Sequence, residues 1–332
     1  MLDAAPKSFV ELPSDARPIL LVVIDTEEEF DWSKPLAREN RSVSSIAAQP
    51  RAQEIFAEFG IVPTYVIDHP VASNERAAAT LRGFAERGDC EIGAHLHPWV
   101  NPPHDEEVSP RNSYPGNLPM DLERSKLKLL TELIATTFGA SPSIYKAGRY
   151  GLGPNTAAIL KELGYRIDVS VVPYTSFTDD GGPDFTDFDP RPYWHNGERN
   201  LLEVPLTCGF CGLFRGWGRS LYPPAASAAG MRLHLPGLLA RSGLLERIRL
   251  TPEGVSFEEQ RRITRSLYER GCRLFSYSYH SPSMAVGNTP YVRDERELSA
   301  FLARMRAYFR FFVGELGGRP LPVSSLYELA GG

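Results

Sequence analysis

Cysteine is scarce in this sequence, with four residues in 332, at positions 90, 208, 211 and 272, too few to staple a chain of this size with disulfides. Cys208-Gly-Phe-Cys211 has Cys-x-x-Cys spacing, but no second close pair completes a thiolate zinc site, so ordinary buried thiols are expected. No run of 18 apolar residues occurs, which excludes a helix of bilayer length. Residues 1–15 carry Lys7 and scattered acids without the apolar stretch of a signal peptide, and a cytoplasmic location is the expectation. Long basic runs are absent as well, and the formal net charge is -5, so nucleic acid is not an expected partner.

What is there reads as an ordinary globular chain, 42% apolar and 23% charged. Its length suits one β/α barrel with insertions. Pro18-Ile-Leu-Leu-Val-Val-Ile-Asp25 is an apolar run ending at a carboxylate, as expected of a central strand buried on both faces. Helix and strand then alternate. Helices are expected at 51–59, 75–87, 122–138 and 155–163, with strands at 62–67, 90–94, 143–147 and 166–172 between them. After a loop at 173–200, rich in Asp, Gly, Pro and aromatics, come a strand at 201–206, a helix at 257–270, a strand at 273–278 and a helix at 295–313.

Residues 209–251 break this rhythm with Gly-Trp-Gly, Pro-Pro and a Leu/Arg-rich stretch, and are expected to form an inserted subdomain or lid within a single domain spanning 1–332. A lid, a dimer surface and a weak membrane-surface helix are all open for it. Alternating strands and helices leave an open doubly wound sheet or a barrel. About seven strands, with no Gly-x-Gly-x-x-Gly after the first, favour the α/β barrel, a distorted or incomplete (β/α)7 form.

Barrel sites lie at the C-terminal ends of the strands. There the sequence places Asp25-Thr-Glu-Glu-Glu-Phe-Asp31, His95-Leu-His97-Pro-Trp99, Arg149-Tyr150-Gly151 and Tyr279-His280-Ser281. Residues at i and i+2 of an extended chain share a face, so Asp25 can face one site with Glu27, and His95 with His97. Crowded carboxylates repel one another unless a cation relieves them, and a carboxylate with two or three imidazoles suits zinc or a similar first-row ion. His280 is a candidate general acid. Arg149 or Lys146 can orient an acidic partner or bind substrate. His69 and His104 are reserve ligands, and the aromatics Tyr174, Phe177, Tyr193 and Trp194 offer either a stacking platform for a sugar or anchors for their loop.

Taken in order, Asp25-Thr-Glu-Glu, Glu91-Ile-Gly-Ala-His95, Tyr145-Lys-Ala-Gly-Arg149-Tyr-Gly and the late His280 resemble the motifs of the polysaccharide deacetylases, the NodB-homology group of carbohydrate esterase family 4, in particular its WalW-like branch. The resemblance covers residues 18 to 285. It implies a distorted barrel and one divalent metal, zinc most often, with nickel, cobalt or manganese as alternatives, held by one carboxylate and two histidines. It implies Asp25 as general base and His280 as general acid. The family's metal histidines are separated by three residues, whereas Trp99 stands at the second position here. His97 is the nearer substitute and His104 the farther one. Glu27 is the preferred acidic ligand, with Glu28 as alternative, and the family's arginine falls on Lys146 or Arg149. Lys146, Tyr150 and Trp194 are the expected substrate contacts. The implied activity is removal of an acetyl group from an N-acetylated sugar or polysaccharide. Hydrolysis of another amide, an O-acetyl ester or a phosphoester is the alternative, as is a noncatalytic carbohydrate-binding barrel.

Overall fold

The computed structural model describes residues 8–13, 15–195 and 199–332. Residues 1–7 of the segment read for a signal peptide, and 196–198 of the 173–200 loop, lie outside the described residues.

The strands are β1 (Ile19–Thr26), β2 (Thr64–Ile67), β3 (Glu91–Leu96), β4 (Ile144–Ala147), β5 (Ile167–Asp168), β6 (Tyr193–Trp194), β7 (Leu202–Glu203), β8 (Cys208–Cys211), β9 (Glu246–Arg249), β10 (Leu274–His280) and β11 (Arg319–Pro320). The helices are α1 (Pro50–Glu58), α2 (His69–Ser73), α3 (Glu75–Glu86), α4 (Met120–Phe138), α5 (Thr156–Glu162), α6 (Gly218–Ala226), α7 (Ala228–Arg232), α8 (Leu235–Arg241), α9 (Phe257–Glu269), α10 (Glu295–Arg310) and α11 (Ser325–Leu329).

One curled sheet runs in the order β10-β1-β2-β3-β4-β5-β7-β6, with β11 added to β1. Eight of these strands pair parallel, β10, β1, β2, β3, β4, β5 and β7 as the alternation predicts and β11 in addition, and β6 returns antiparallel on β7. Every residue of β1 is buried. Ile19, Leu21 and Val23 point into the barrel with Val66, Ile144, Ile167 and Leu202, while Leu20, Val22 and Ile24 face the helices. This two-sided burial is why the strand reads as an unbroken apolar run.

The barrel is incomplete, since β6 and β10 do not pair. The antiparallel ribbon β8–β9, the base of the 209–251 insertion, stands in the opening. Leu250 N donates to Thr207 O (2.8 Å), Ser276 N to Thr207 Oγ1 (2.7 Å) and Ser278 N to Leu250 O (3.3 Å). Two expected strands shrink to two-residue ladders, β5 and β7, for a local reason. The Asp168 side chain takes the N–H of Ser170 and the Glu203 side chain that of Val171, so side chains replace the ladder's acceptors.

Candidate metal and catalytic site

Parallel pairing carries the chemistry to one rim. Asp25 ends β1 in register with His280 at the end of β10, and His95 on β3 is in register with Lys146 on β4. These strand ends open on a cavity of about 440 Å³ whose floor includes Asp25, Glu27, His95, His97 and His280.

Glu27, His95 and His97 converge as expected. Glu27 Oε2 lies 3.4 Å from Nε2 of each histidine, and all three side chains are buried. Each imidazole is oriented through its other nitrogen. His95 Nδ1 donates to Lys146 O (3.0 Å) and His97 Nδ1 pairs with Glu28 Oε2 (2.7 Å), which turns both Nε2 lone pairs toward Glu27. Burial, then the neighbouring His95, lowers the His97 pKa to about 4, so the ring is neutral at pH 7, the form that ligates a cation. One carboxylate oxygen and two imidazole nitrogens, aimed at a common point on the cavity floor, fit a divalent first-row cation.

Glu27 and Glu28 differ in direction. Glu28 turns behind the site, where Trp99 Nε1 donates to its Oε1 (2.7 Å) and the Trp99 ring stacks on His97 at 4.3 Å. Thus Trp99, at the position of the family's second histidine, supports the carboxylate that holds His97. Asp68 is spent on backbone: it accepts from Glu28 N (2.7 Å) and caps α2 through Val71 N (2.8 Å). Burial raises Glu28 to about 8, against the lowering effect of its contact with Asp68, and burial with the charge of Glu28 lifts Asp68 well above the usual carboxylate range. The reserve histidines, His69 and His104, join neither the cavity lining nor a metal-ligating group among the described residues.

The second half of the site is built around Asp25 and His280. Lys146 Nζ, fully buried, lies 2.5 and 2.7 Å from the two oxygens of Asp25 and 3.2 Å from Ser278 Oγ. Burial alone would push the Asp25 carboxyl up, but the charges of Lys146, His95 and His280 outweigh it and hold the group below its usual value. Of the two candidates for the arginine position, Lys146 is therefore the one that meets the acid. Its ammonium is enclosed, so it reaches a substrate only through Asp25.

His280 Nε2 stands 3.7 Å from Asp25 Oδ2, and its Nδ1 donates to Glu253 Oε2 (2.7 Å). Burial would lower its pKa, yet Glu253 and Glu27, with Asp25, raise it well above the ordinary histidine value, and an imidazolium results. Glu253 Oε1 accepts from His280 N (3.1 Å) and Ser283 Oγ (2.5 Å), fixing the carboxylate in place. Sequence reasoning missed Glu253, which sits in an unremarkable Thr-Pro-Glu-Gly turn, and missed the supporting roles of Glu28 and Trp99.

Arg149 and Tyr150 line the cavity, both at positive φ (52° and 60°), an unfavourable conformation for residues with a Cβ. Arg149 is committed at the wall, bonded to Ser113 Oγ (2.6 Å) and Asp180 (3.0 Å), with its guanidinium 4.4 Å from the centre of the Tyr114 ring. It does not touch Asp25. Gly148 before it lets the turn approach β3, because a Cβ there would overlap Leu96 O and meet the His97 ring.

Trp194 is a correction. It is buried at 3% exposure on the interior face of the sheet, edge-on to Tyr327 at 5.5 Å, and does not line the cavity. Antiparallel pairing with β7 turns it inward. Tyr193 packs on Phe9, and Tyr174 on Phe210. Of the loop aromatics singled out, Phe177 alone reaches the cavity, stacked on Tyr150 at 5.4 Å. The aromatic wall also includes Trp32, which the sequence did not single out: it stacks on Phe30 and meets His280 edge-on at 5.2 Å. The Cys208 and Cys211 thiols are buried, and burial raises both pKa values, Cys211 to about 11, which leaves them unreactive near neutrality. No residue from 209 to 248 lines the cavity, so the helices of the insertion are not a lid over it in this conformation.

Fold and site together define an open, distorted β/α barrel with a Glu-His-His cluster beside an Asp/His pair at its rim. Neither a protein-family profile nor a curated protein matches the chain. Solved structures do. A Mycobacterium smegmatis protein assigned as a polysaccharide deacetylase is similar with a TM-score of 0.59 at 18% identity, over 99% of this chain and 95% of that one. PuuE allantoinase matches with a TM-score of 0.56 at 16% identity, over 96% and 92%. A Pseudomonas aeruginosa PAO1 protein assigned as a polysaccharide deacetylase matches with a TM-score of 0.55 at 16% identity, over 96% and 93%. The chain shares the distorted β/α-barrel fold of these solved polysaccharide deacetylase structures.

Proposed function

We propose that this protein is a metal-dependent hydrolase that removes the acetyl group from an N-acetylated sugar or polysaccharide. The observation that carries the reading is the opposition, within one cavity, of the Glu27-His95-His97 cluster and the Asp25/His280 pair. The motif order supports the WalW-like branch as its nearest kin, and four free thiols suit a reducing, cytoplasmic compartment.

Glu27, His95 and His97 would hold the cation, zinc foremost, with Glu28 and the Lys146 carbonyl fixing the two imidazoles. A divalent cation so held supplies Lewis acidity, polarising the acetyl carbonyl and bringing the pKa of water toward about 7. Asp25, kept ionised by Lys146, would accept the proton of the attacking water. His280, kept cationic by Glu253, would present Nε2–H to the departing nitrogen. As the C–N bond breaks and a C–O bond forms, that proton completes the free amine, and acetate is the second product. The exposed Trp32 and the stacked Tyr150 and Phe177 would form the walls along which a sugar ring lies. Arg149 would orient polar substrate groups from the same wall.

The test is acetate release from N-acetylglucosamine oligomers by the zinc-loaded chain, with allantoin as a comparison amide because an allantoinase shares the fold. Turnover of the oligomers that disappears on chelation and in Asp25→Asn is the expected result. Metal-loaded protein that binds the oligomers without releasing acetate would establish the noncatalytic alternative instead.

A further inference from the structure

The helices of the insertion carry an inverted polarity. Of the residues on α6 and α7, Gly218, Ala225 and Gly230 are the buried ones, and α8 buries none fully. These small residues are demanded by the packing, since a Cβ on Gly218 would strike the Phe210 ring and one on Gly230 would strike Ala225 O. The large side chains point to solvent instead. Leu213 is 71% exposed, Trp217 69% and Leu233 65%, with Leu221, Met231 and Leu238 also exposed. With Phe214, seven large apolar side chains turned outward within 26 residues far exceed the scattered single residues normal for a surface. The three helices pack on one another, and α6 and α8 pack on β9, so the unit is one compact projection.

Its charge is equally one-sided. Although the chain holds 41 acidic residues in 332, none falls between Val204 and Leu245, where Arg215, Arg219, Arg232 and Arg241 are the charged residues. A chain of net charge -5 thus presents a projection of +4. Arg219 is engaged, donating to Asp187 O over the Tyr174 ring. Arg215, Arg232 and Arg241 are exposed and form no ion pair among the described residues. Arg241 borders a depression shared with Met231, His234, Pro236 and Gly237.

We propose that residues 213–241 dock the protein on an anionic phospholipid surface. Apolar tips need a hydrocarbon-like medium, and unpaired arginines beside them need anionic headgroups. A membrane interface supplies both at the depth that short helices reach. A second copy of the chain fits less well, because a two-fold contact would set the same arginines against each other. No helix of the described residues is long and apolar enough to cross a membrane, so the contact is peripheral. The cavity with Asp25 and His280 draws no residue from the projection, which leaves it open during docking.

The experiment is co-sedimentation of the full chain with phosphatidylcholine vesicles, with and without about 30% phosphatidylglycerol, at low and high salt. The wild type sediments with the anionic vesicles, stays in solution with the neutral ones and is partly released by salt. Trp217 fluorescence shifts to the blue on binding, a shift that Trp217→Phe removes. Trp217→Ser/Leu233→Ser and Arg232→Glu/Arg241→Glu each lower the vesicle-bound to free ratio by about tenfold or more, with the thermal unfolding midpoint unchanged. Wild type that ignores anionic vesicles, or variants that bind as well as the wild type, would overturn the proposal. So would a wild-type dimer that Trp217→Ser disperses, since the patch would then be a self-contact.

Discussion

The ammonium of Lys146, with no exposed surface, lies 2.5 and 2.7 Å from the two oxygens of Asp25. The pair ties β4 to β1 across the barrel mouth, and the ammonium, shut off from solvent, has no other anion among the described residues to turn to. Lys146→Met leaves a buried carboxylate unpaired, so it is expected to cost about 3–5 kcal/mol of stability. Asp25 should then protonate more readily and lose its function as a base, cutting turnover roughly 100-fold or more. Urea unfolding and acetate release measure the two effects separately, and a variant as stable as the wild type would refute the pairing.

Glu28 supports His97 from behind the cavity, and Trp99, which lines the cavity beside His97, holds Glu28 in place. Glu28→Gln and Trp99→Phe should each weaken zinc affinity by about 10–100-fold, as loss of an outer-shell partner does elsewhere, while Glu27→Ala should lose most binding. Competition with a chromophoric chelator gives the affinities. If Glu28→Gln abolished binding and Glu27→Ala spared it, the two acids would have to exchange roles.

His280 owes its charge to Glu253. Its folded pKa is raised, so the stabilisation from this ion pair is fully present below the unfolded value near 6.5 and is lost as pH rises through the higher folded value. Glu253→Gln should bring the His280 titration, followed by NMR, down toward or below 6.5 and move the alkaline limb of the rate profile the same way. Unchanged titration would separate Glu253 from the acid's function.

Away from the site, Asp168 and Glu203 sit side by side on β5 and β7, and burial raises Glu203 from 4.5 to about 8. The folded chain therefore binds more protons than the unfolded one in that window. Stability should fall as pH climbs from 4.5 toward 8, the reverse of a salt-bridged acid. Glu203→Gln should flatten the slope of thermal midpoint against pH, and a slope equal to the wild type's would contradict the assignment.

Two tryptophans separate substrate contact from packing. Trp32→Ala, at the cavity wall, should raise KM for a sugar oligomer severalfold with little change in stability. Trp194→Ala, in the core, should cost about 3–5 kcal/mol and leave KM of the folded enzyme near its wild-type value. The reverse pattern would restore Trp194 as a substrate contact.

Much of this architecture is legible in the residue order. Two-sided burial writes β1 as Ile-Leu-Leu-Val-Val-Ile, and the alternation of such runs with amphipathic helices implies parallel strands whose ends share a rim. Asp25, Glu27, His95, His97 and His280 each follow or end such a run, so their meeting could be read in advance. Direction could not. Glu27 and Glu28 are neighbours of the same type, and backbone geometry alone turns one to the cavity and the other to Trp99. Lys146 and Arg149 are cations three residues apart, the one on β4 and the other in the turn after it, and strand register puts the first on Asp25. Glu253 lies 27 residues from His280, and the two meet only because β9 and β10 come together where the barrel fails to close. By itself the sequence determined the main alternating strands and helices of the barrel, their order and the candidate ligand types, since these follow from local periodicity and side-chain chemistry. The tertiary structure decided which of two like residues faces the candidate metal site, which cation meets Asp25 and which aromatics reach the cavity, because these depend on register and packing between segments far apart in the chain.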